Sequence, residues 1–251
     1  MVSEKSIFHR TERLLGPNGY NALTDKRVII FGVGGVGSWC AESLIRTGIR
    51  HLTIVDCDKV SITNVNRQLM ATTETVGRVK VEVMKERLLS INPKADITAI
   101  QCFYTVENAD QFDLSGYDYI VDAIDSLQDK ALLILNACRT KAGFYSSMGA
   151  ALKMDPTRIQ VAEFWNVKGC PLGAALRRKF KKMKLFPARK FKCVFSDELL
   201  TNKGESDEEL GFKAQINGSL SHITAIFGFT IAGLIVQDIV KRDETARAAK
   251  Q

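Results

Sequence analysis

The stretch KRVIIFGVGGVGSWCAESLIRTG, residues 26–48, decides the fold. It opens with a short unbroken apolar run ending in glycine, the pattern of a parallel strand covered on both faces. From residue 37 it reads as a helix stopped by Gly48. Between the two, Gly32, Gly34 and Gly37 stand at GxGxxG spacing. Glycines at such a turn let the backbone approach phosphate, whose charge meets amide N–H groups at the helix start.

The same alternation continues outward. HLTIVD reads as a second strand, and residues 72–91, TTETVGRVKVEVMKERLLSI, as an amphipathic helix closed by Asn92-Pro93. DITAIQ and YDYIVDAID follow as strands, LQDKALLILNACRTKAG as a helix, and FYSSMGA after it. Strand alternating with helix predicts an α/β fold, a doubly wound, Rossmann-like, mainly parallel sheet with a C-terminal elaboration. One domain over residues 1–251 is expected. Within it, 1–24 is a helical lead-in stopping at Gly16-Pro17, and 25–155 a nucleotide-binding core. Residues 156–212 read as a basic cap or insertion, and 213–251 as a return to the core with a tail.

Composition is that of a soluble globular protein, with 45% hydrophobic and 25% charged residues. No two of the six cysteines form a CxxC pair, which argues against a four-thiolate zinc site. With no signal-peptide core in MVSEKSIFHRTERLL, free thiols in a reducing cytoplasm are expected. Residues 214–237 carry no formal charge, yet their first half is polar. The cleanly apolar part, residues 223–236, is too short to span a bilayer and reads as a core or subunit-interface helix.

Charge is concentrated in one place. Residues 177–192, RRKFKKMKLFPARKFK, hold nine Lys or Arg and no acid, more than the whole net charge of +7. Basic residues interleaved with Phe180, Phe186 and Phe191 fit a polyanion-binding surface, with nucleic acid favoured over a merely solvated helix face.

The glycine motif alone does not separate NAD from ATP. Asp56 ends the second strand, where an acid holds a ribose hydroxyl. Behind it runs IVDCDKVSITNVNRQ, residues 54–68, with Asp58, Asn64, Asn66, Arg67 and Gln68, and Lys80 follows Gly77. Arginine offers a planar fork of donors to phosphate and lysine a mobile point charge. Together they suit a triphosphate attacked at its α-phosphorus while pyrophosphate leaves. Magnesium would offset that leaving charge and takes carboxylate oxygen, with Asp122 and Asp125 as candidates at the next strand end. Taken singly, the asparagines could be turn residues, Asp58 a helix cap and Lys80 a surface charge.

At GVGGVG, DCD, NVNRQ, VGRVK and AIDS the sequence resembles the ubiquitin-activating-like adenylyltransferases of the ThiF/MoeB/HesA superfamily. GVGSWCAESLIRTGI, EVMKERLLSINP, YIVDAIDS, DPTRIQV and CVFS are similar to its tRNA threonylcarbamoyladenosine dehydratase branch, over most of residues 8–235. The resemblance implies an ATP-dependent enzyme. The carboxylate of a threonylcarbamoyl group on adenosine 37 of tRNA is adenylated, then cyclised with loss of water, and AMP and pyrophosphate are released. No protein nucleophile is needed.

By motif, Gly34 and Gly35 would approach the phosphates and Asp56, with Asp58, the ribose side. Asn64, Asn66, Arg67, Gln68 and Lys80 would contact the triphosphate, and Asp125, beside Ser126, would hold magnesium. Arg13 would reach the ATP of a second subunit, which implies a homodimer. The tRNA would lie on Arg177, Arg178, Lys179, Lys181 and Lys182. A sulfur-carrier protein or a cysteine-desulfurase system is a further possible partner. Two departures stand out: the CxxC…CxxC zinc site of many carrier activators is missing, and Cys170 occupies a place where an acid is expected. The alternatives are adenylation of a sulfur carrier's C-terminus, an NAD-dependent oxidoreductase, and a nucleotide-sensing module.

Overall fold

The computed structural model describes residues 7–204 and 217–249. Helix α1 (His9–Thr24) leads to β1 (Arg27–Phe31), α2 (Gly37–Thr47) and β2 (His51–Val55). Next come α3 (Lys80–Ile91), β3 (Asp96–Ile100), β4 (Tyr119–Asp122), α4 (Leu127–Ala137) and β5 (Gly143–Ser147). The chain closes with β6 (Ile159–Glu163), α5 (Pro171–Met183), β7 (Lys192–Ser196) and α6 (Ser221–Ala248). The seven strands form one sheet in the order β3-β2-β1-β4-β5-β7-β6. Every neighbouring pair is parallel except β6 against β7. This is the doubly wound sheet that the alternation predicts.

Period-two alternation along β1 builds two cores. Val28 and Ile30 pack on one face with Leu44 and Ile45 of α2, Val81 and Met84 of α3, and Phe227 and Ile231 of α6. Ile29 and Phe31 pack on the other with Ile134 of α4, and Leu176 and Phe180 of α5. Helix α6 buries Ile223, Phe227, Ile231, Ile235 and Ile239, a four-residue spacing that keeps them on one face. Truncating one of them to alanine would cost about 2–5 kcal/mol. Gly228 lets this helix press on α2, for a Cβ there would lie 2.5 Å from the Val36 oxygen.

Several expectations are corrected. The lead-in does not stop at Gly16-Pro17; it kinks at Gly16 (φ 70°) and continues to Thr24. The helix expected over 72–91 begins only at Lys80, because Gly77 is left-handed and Val79 bridges to Lys59. Residues 156–198, expected within a cap, supply β6 and β7 to the sheet edge. The acidic loop expected before residue 212 lies outside the described residues from residue 205 onward. Helix α6 is long and apolar enough to cross a membrane by length and composition, with 50% of its apolar window buried in the protein.

Candidate active site

Strand order reverses between β1 and β4, so their carboxyl ends splay apart and open a crevice. A cavity of about 680 Å³ fills it. That lies in the ordinary range for a small-molecule site, roughly 300–1,000 Å³.

The glycine loop forms its floor. Gly32 has φ 89°, and a Cβ there would stand 2.6 Å from the Ala123 oxygen, so only glycine closes this turn. Next to it, the Val33 N–H donates to Asp56 Oδ2 at 2.7 Å, and the Asp58 N–H to Asp56 Oδ1 at 2.9 Å. Asp56 therefore ties the loop after β1 to the loop after β2. Gly34 and Gly35 line the cavity, and Gly35 sits against Thr224 at the start of α6.

Cations enter from the β2 side. Lys80 opens α3 and is 5% exposed; its ammonium donates to Asp58 Oδ2 at 2.7 Å and lies 3.9 Å from Asp56. Burial alone would raise the Asp58 carboxyl, but the Lys80 hydrogen bond and charge hold it below the ordinary value. Arg67 donates to the Thr63 oxygen and to Asn66 Oδ1 at 2.9 and 3.0 Å, and has no ion pair among the described residues. Its own carbonyl accepts from Trp39 Nε1 at 3.1 Å. Gln68 is 7% exposed, and its Oε1 is a buried acceptor without a partner among the described residues.

The β4 side shows two unlike acids. Asp122 is fully buried, bonded to Lys130 at 2.9 Å and to Ser146 at 2.6 Å, which removes it from the candidate metal ligands. Asp125 lines the cavity, is exposed, and makes no hydrogen bond or ion pair among the described residues. Ser126 caps α4 through Asp129 N–H at 3.5 Å. A second metal-capable group, Asp56, Cys57 and Asp58, already has the Lys80 ammonium between its acids. There the Cys57 thiol is pushed up to about 12 by burial and by Asp58, so it is a poor ligand. The free carboxylate of Asp125 is the donor suited to a hard cation such as magnesium.

Of the sequence-predicted residues, Gly34, Gly35, Asp56, Asp58, Arg67, Gln68, Lys80, Asp125 and Ser126 line this one cavity. Asn64, Asn66 and Arg13 do not. Asn64 Oδ1 instead accepts from the Ser61 N–H at 3.0 Å and closes a turn, while Asn66 donates to the Ser219 oxygen at 2.9 Å. Arg13 is exposed on α1. On α5, Arg178, Lys181 and Lys182 are exposed and Lys179 is half-buried. Arg177 lies over the Phe164 ring, 6.0 Å from its centroid, and so belongs partly to packing. Sequence reasoning missed Thr224, residues 148–153 and Leu172 in the lining. The small residues GAA after β5 were the available signal, since they follow a parallel strand's carboxyl end. The six cysteines are free, with Cys170 and Cys193 buried, and burial pushes the Cys193 thiol up.

Sheet, glycine loop and clustered cations together define a nucleotide-binding α/β protein equipped for chemistry on phosphate. The chain belongs to the ThiF family, whose model matches residues 8–250. It is 37% identical to the tRNA threonylcarbamoyladenosine dehydratase of Bacillus subtilis strain 168, covering 96% of this chain and 97% of that one. It also matches the crystal structure of the Escherichia coli tRNA N6-threonylcarbamoyladenosine dehydratase in complex with ATP. There the TM-score is 0.83 and the identity 37%, covering 100% of this chain and 99% of the other. A second crystal structure of that E. coli enzyme, in complex with AMP, matches with a TM-score of 0.83 at 36% identity, covering 100% of this chain and 99% of that one.

Proposed function

We infer that this chain is an ATP-dependent tRNA threonylcarbamoyladenosine dehydratase. The observation that carries the reading is a single cavity in which the glycine loop, Arg67, Lys80 and Asp125 face the same space. ATP would lie with its phosphates over Gly34 and Gly35 and its ribose toward Asp56. The substrate carboxylate attacks the α-phosphorus and pyrophosphate departs with the electron pair of the broken P–O bond. The activated carbonyl is then captured within the same group, a proton is released, and AMP leaves.

Arg67 and Lys80 stabilise charge building on the phosphoryl oxygens, acting by position and electrostatics. Asp125 would hold magnesium, which offsets charge on the leaving pyrophosphate. The tRNA would run along α5, whose first residues Pro171 and Leu172 line the cavity. At about 1.5 Å per residue the helix carries its basic face roughly 20 Å outward from there. Arg13 is exposed and outside this cavity, and by the family resemblance it would serve the second site of a homodimer.

The test is mass analysis of tRNA nucleosides after incubation with protein and ATP. The threonylcarbamoyladenosine mass should fall by one water, with AMP and pyrophosphate released in step. Unchanged nucleosides would sink the reading, and ATP–pyrophosphate exchange stimulated by a small carrier protein would favour sulfur-carrier adenylation instead.

A further inference from the structure

One wall of the cavity carries a cation that the nucleotide machinery does not use. Residues 147–153 run on from the last residue of β5, two strands along the sheet from the glycine loop, and line the cavity. Lys153 ends that run and is 3% exposed. Its ammonium donates to the main-chain oxygen of Glu198 and has no ion pair among the described residues. The nearby acids are committed elsewhere. The Glu198 carboxylate accepts from the Met154 and Asp155 N–H groups at 2.7 and 2.9 Å, and Asp197 pairs with Arg158 at 2.9 Å. A buried cation with no counter-ion is unfavourable by itself, and a ligand of opposite charge relieves it.

The backbone in front of Lys153 is also unusual. Leu152 has φ 57°, one of two non-glycine residues with positive φ among the described residues. It is held there by its N–H on the Gly218 oxygen at 2.9 Å and by the Leu200 N–H on its own oxygen at 3.0 Å. Backbone strain of this kind persists where the surroundings enforce it, and it clusters at ligand sites. The clamped Leu152 thus fixes the backbone that carries Lys153, and the Glu198 oxygen holds its ammonium.

We propose that Lys153 docks the carboxylate of the acyl substrate in the cavity and presents it to the α-phosphorus. The proposal rests on the dehydratase reading and assigns the second half of the same site. The ammonium binds the carboxylate as it leaves water, and one carboxylate oxygen then forms the bond to phosphorus while pyrophosphate is displaced. The acyl group has then lost its negative charge, so Lys153 releases it. The ureido group can turn back onto the carbonyl, and AMP leaves with the electron pair of the broken C–O bond as one proton passes to solvent. Burial lowers the pKa of Lys153, and Arg158 adds to that, against the Cys170 thiol, Glu198 and Asp197. The docking cation is accordingly lost at a lower pH than for an ordinary lysine.

Binding of purified tRNA with and without the threonylcarbamoyl group, AMP present, tests this without turnover. The intact protein should prefer the modified tRNA by about tenfold or more. Lys153→Gln should lose that preference while binding ATP and unmodified tRNA as before. The preference should fade with rising pH in the unaltered protein and persist to higher pH in Lys153→Arg. Should Lys153→Gln fail to bind ATP, as a misfolded variant would, the pH comparison with Lys153→Arg decides. An unaltered preference in Lys153→Gln, no preference in the unaltered protein, or matching pH profiles would each overturn the proposal. Intact discrimination with no loss of water under ATP would instead overturn the dehydratase reading and leave the docking role standing.

Discussion

Two lysine–aspartate pairs flank the cavity, and they do different work. Lys130 and Asp122 are both 0% exposed, and the pair is completed by Ser146 and by the Ile124 N–H at 3.2 Å. Lys80 and Asp58 are closer still at 2.7 Å, against 2.9 Å, but the Asp58 side chain is 57% exposed. The first pair fills every hydrogen-bonding position and stands apart from the cavity lining, so it holds the end of β4 to α4. The second opens on the cavity through Asp58, while Lys80 lines the same cavity from a buried position. Chemistry is shared between them; access to solvent decides which is scaffold and which is tool.

The sharpest way to break that contrast is to remove one buried partner. Lys130→Met should destabilise the fold by about 3–5 kcal/mol, since it leaves the buried Asp122 carboxyl without its counter-ion. Urea unfolding checks this, and adding Asp122→Leu should recover part of the loss. Next in size, Lys80→Met should lower pyrophosphate release on the order of a hundredfold while the unfolding midpoint shifts little. If both quantities collapse together, the distinction between the pairs is wrong. Arg67→Ala should behave as Lys80→Met does.

Charge reversal at Arg178, Lys181 and Lys182 should weaken tRNA binding and flatten its dependence on salt, because fewer counterions are released. ATP affinity should stay unchanged, as α5 meets the cavity only through its first residues. Filter binding across a salt series checks both statements.

The smallest effect concerns Glu42, a half-way case whose carboxylate is 8% exposed yet meets two partly exposed arginines, Arg46 and Arg87. Burial would raise its pKa, but the hydrogen bonds from Arg87 and Arg46 bring it below its ordinary 4.5. A depressed carboxyl stabilises above its unfolded value and loses that contribution as pH falls through the folded one. Unfolding free energy should therefore fall on acidification below about pH 4.5, and Glu42→Gln should make that fall smaller, by about 1 kcal/mol.

Much of the molecule was legible because its signals are local. An apolar run, a glycine turn and a capped helix are each written within a few residues, and β1 through β5 follow from them. The misreadings have equally local causes. Residues 72–79 contain helix-forming types, but the left-handed Gly77 and the Lys59–Val79 bridge override them. The apolar part read at residues 223–236 ends where polarity sets in. Helix α6 continues beyond it through Asp238–Arg242 and Asp243–Arg247 pairs four residues apart. In the site, the residues of the glycine loop and the NRQ run announce themselves by type. Lys153 and Thr224 do not, for their positions depend on a strand two places away and on the final helix.

That final helix has a consequence for how the protein is made. Thr224 braces Gly35 and lies 3.5 Å from the carbonyl of Arg67, 157 residues away in the chain. A ribosome adding about 5–20 residues per second needs roughly 8–30 s to cover that gap. A nascent chain thus carries its phosphate turn well before the brace exists, and the packing of that turn is completed late in synthesis.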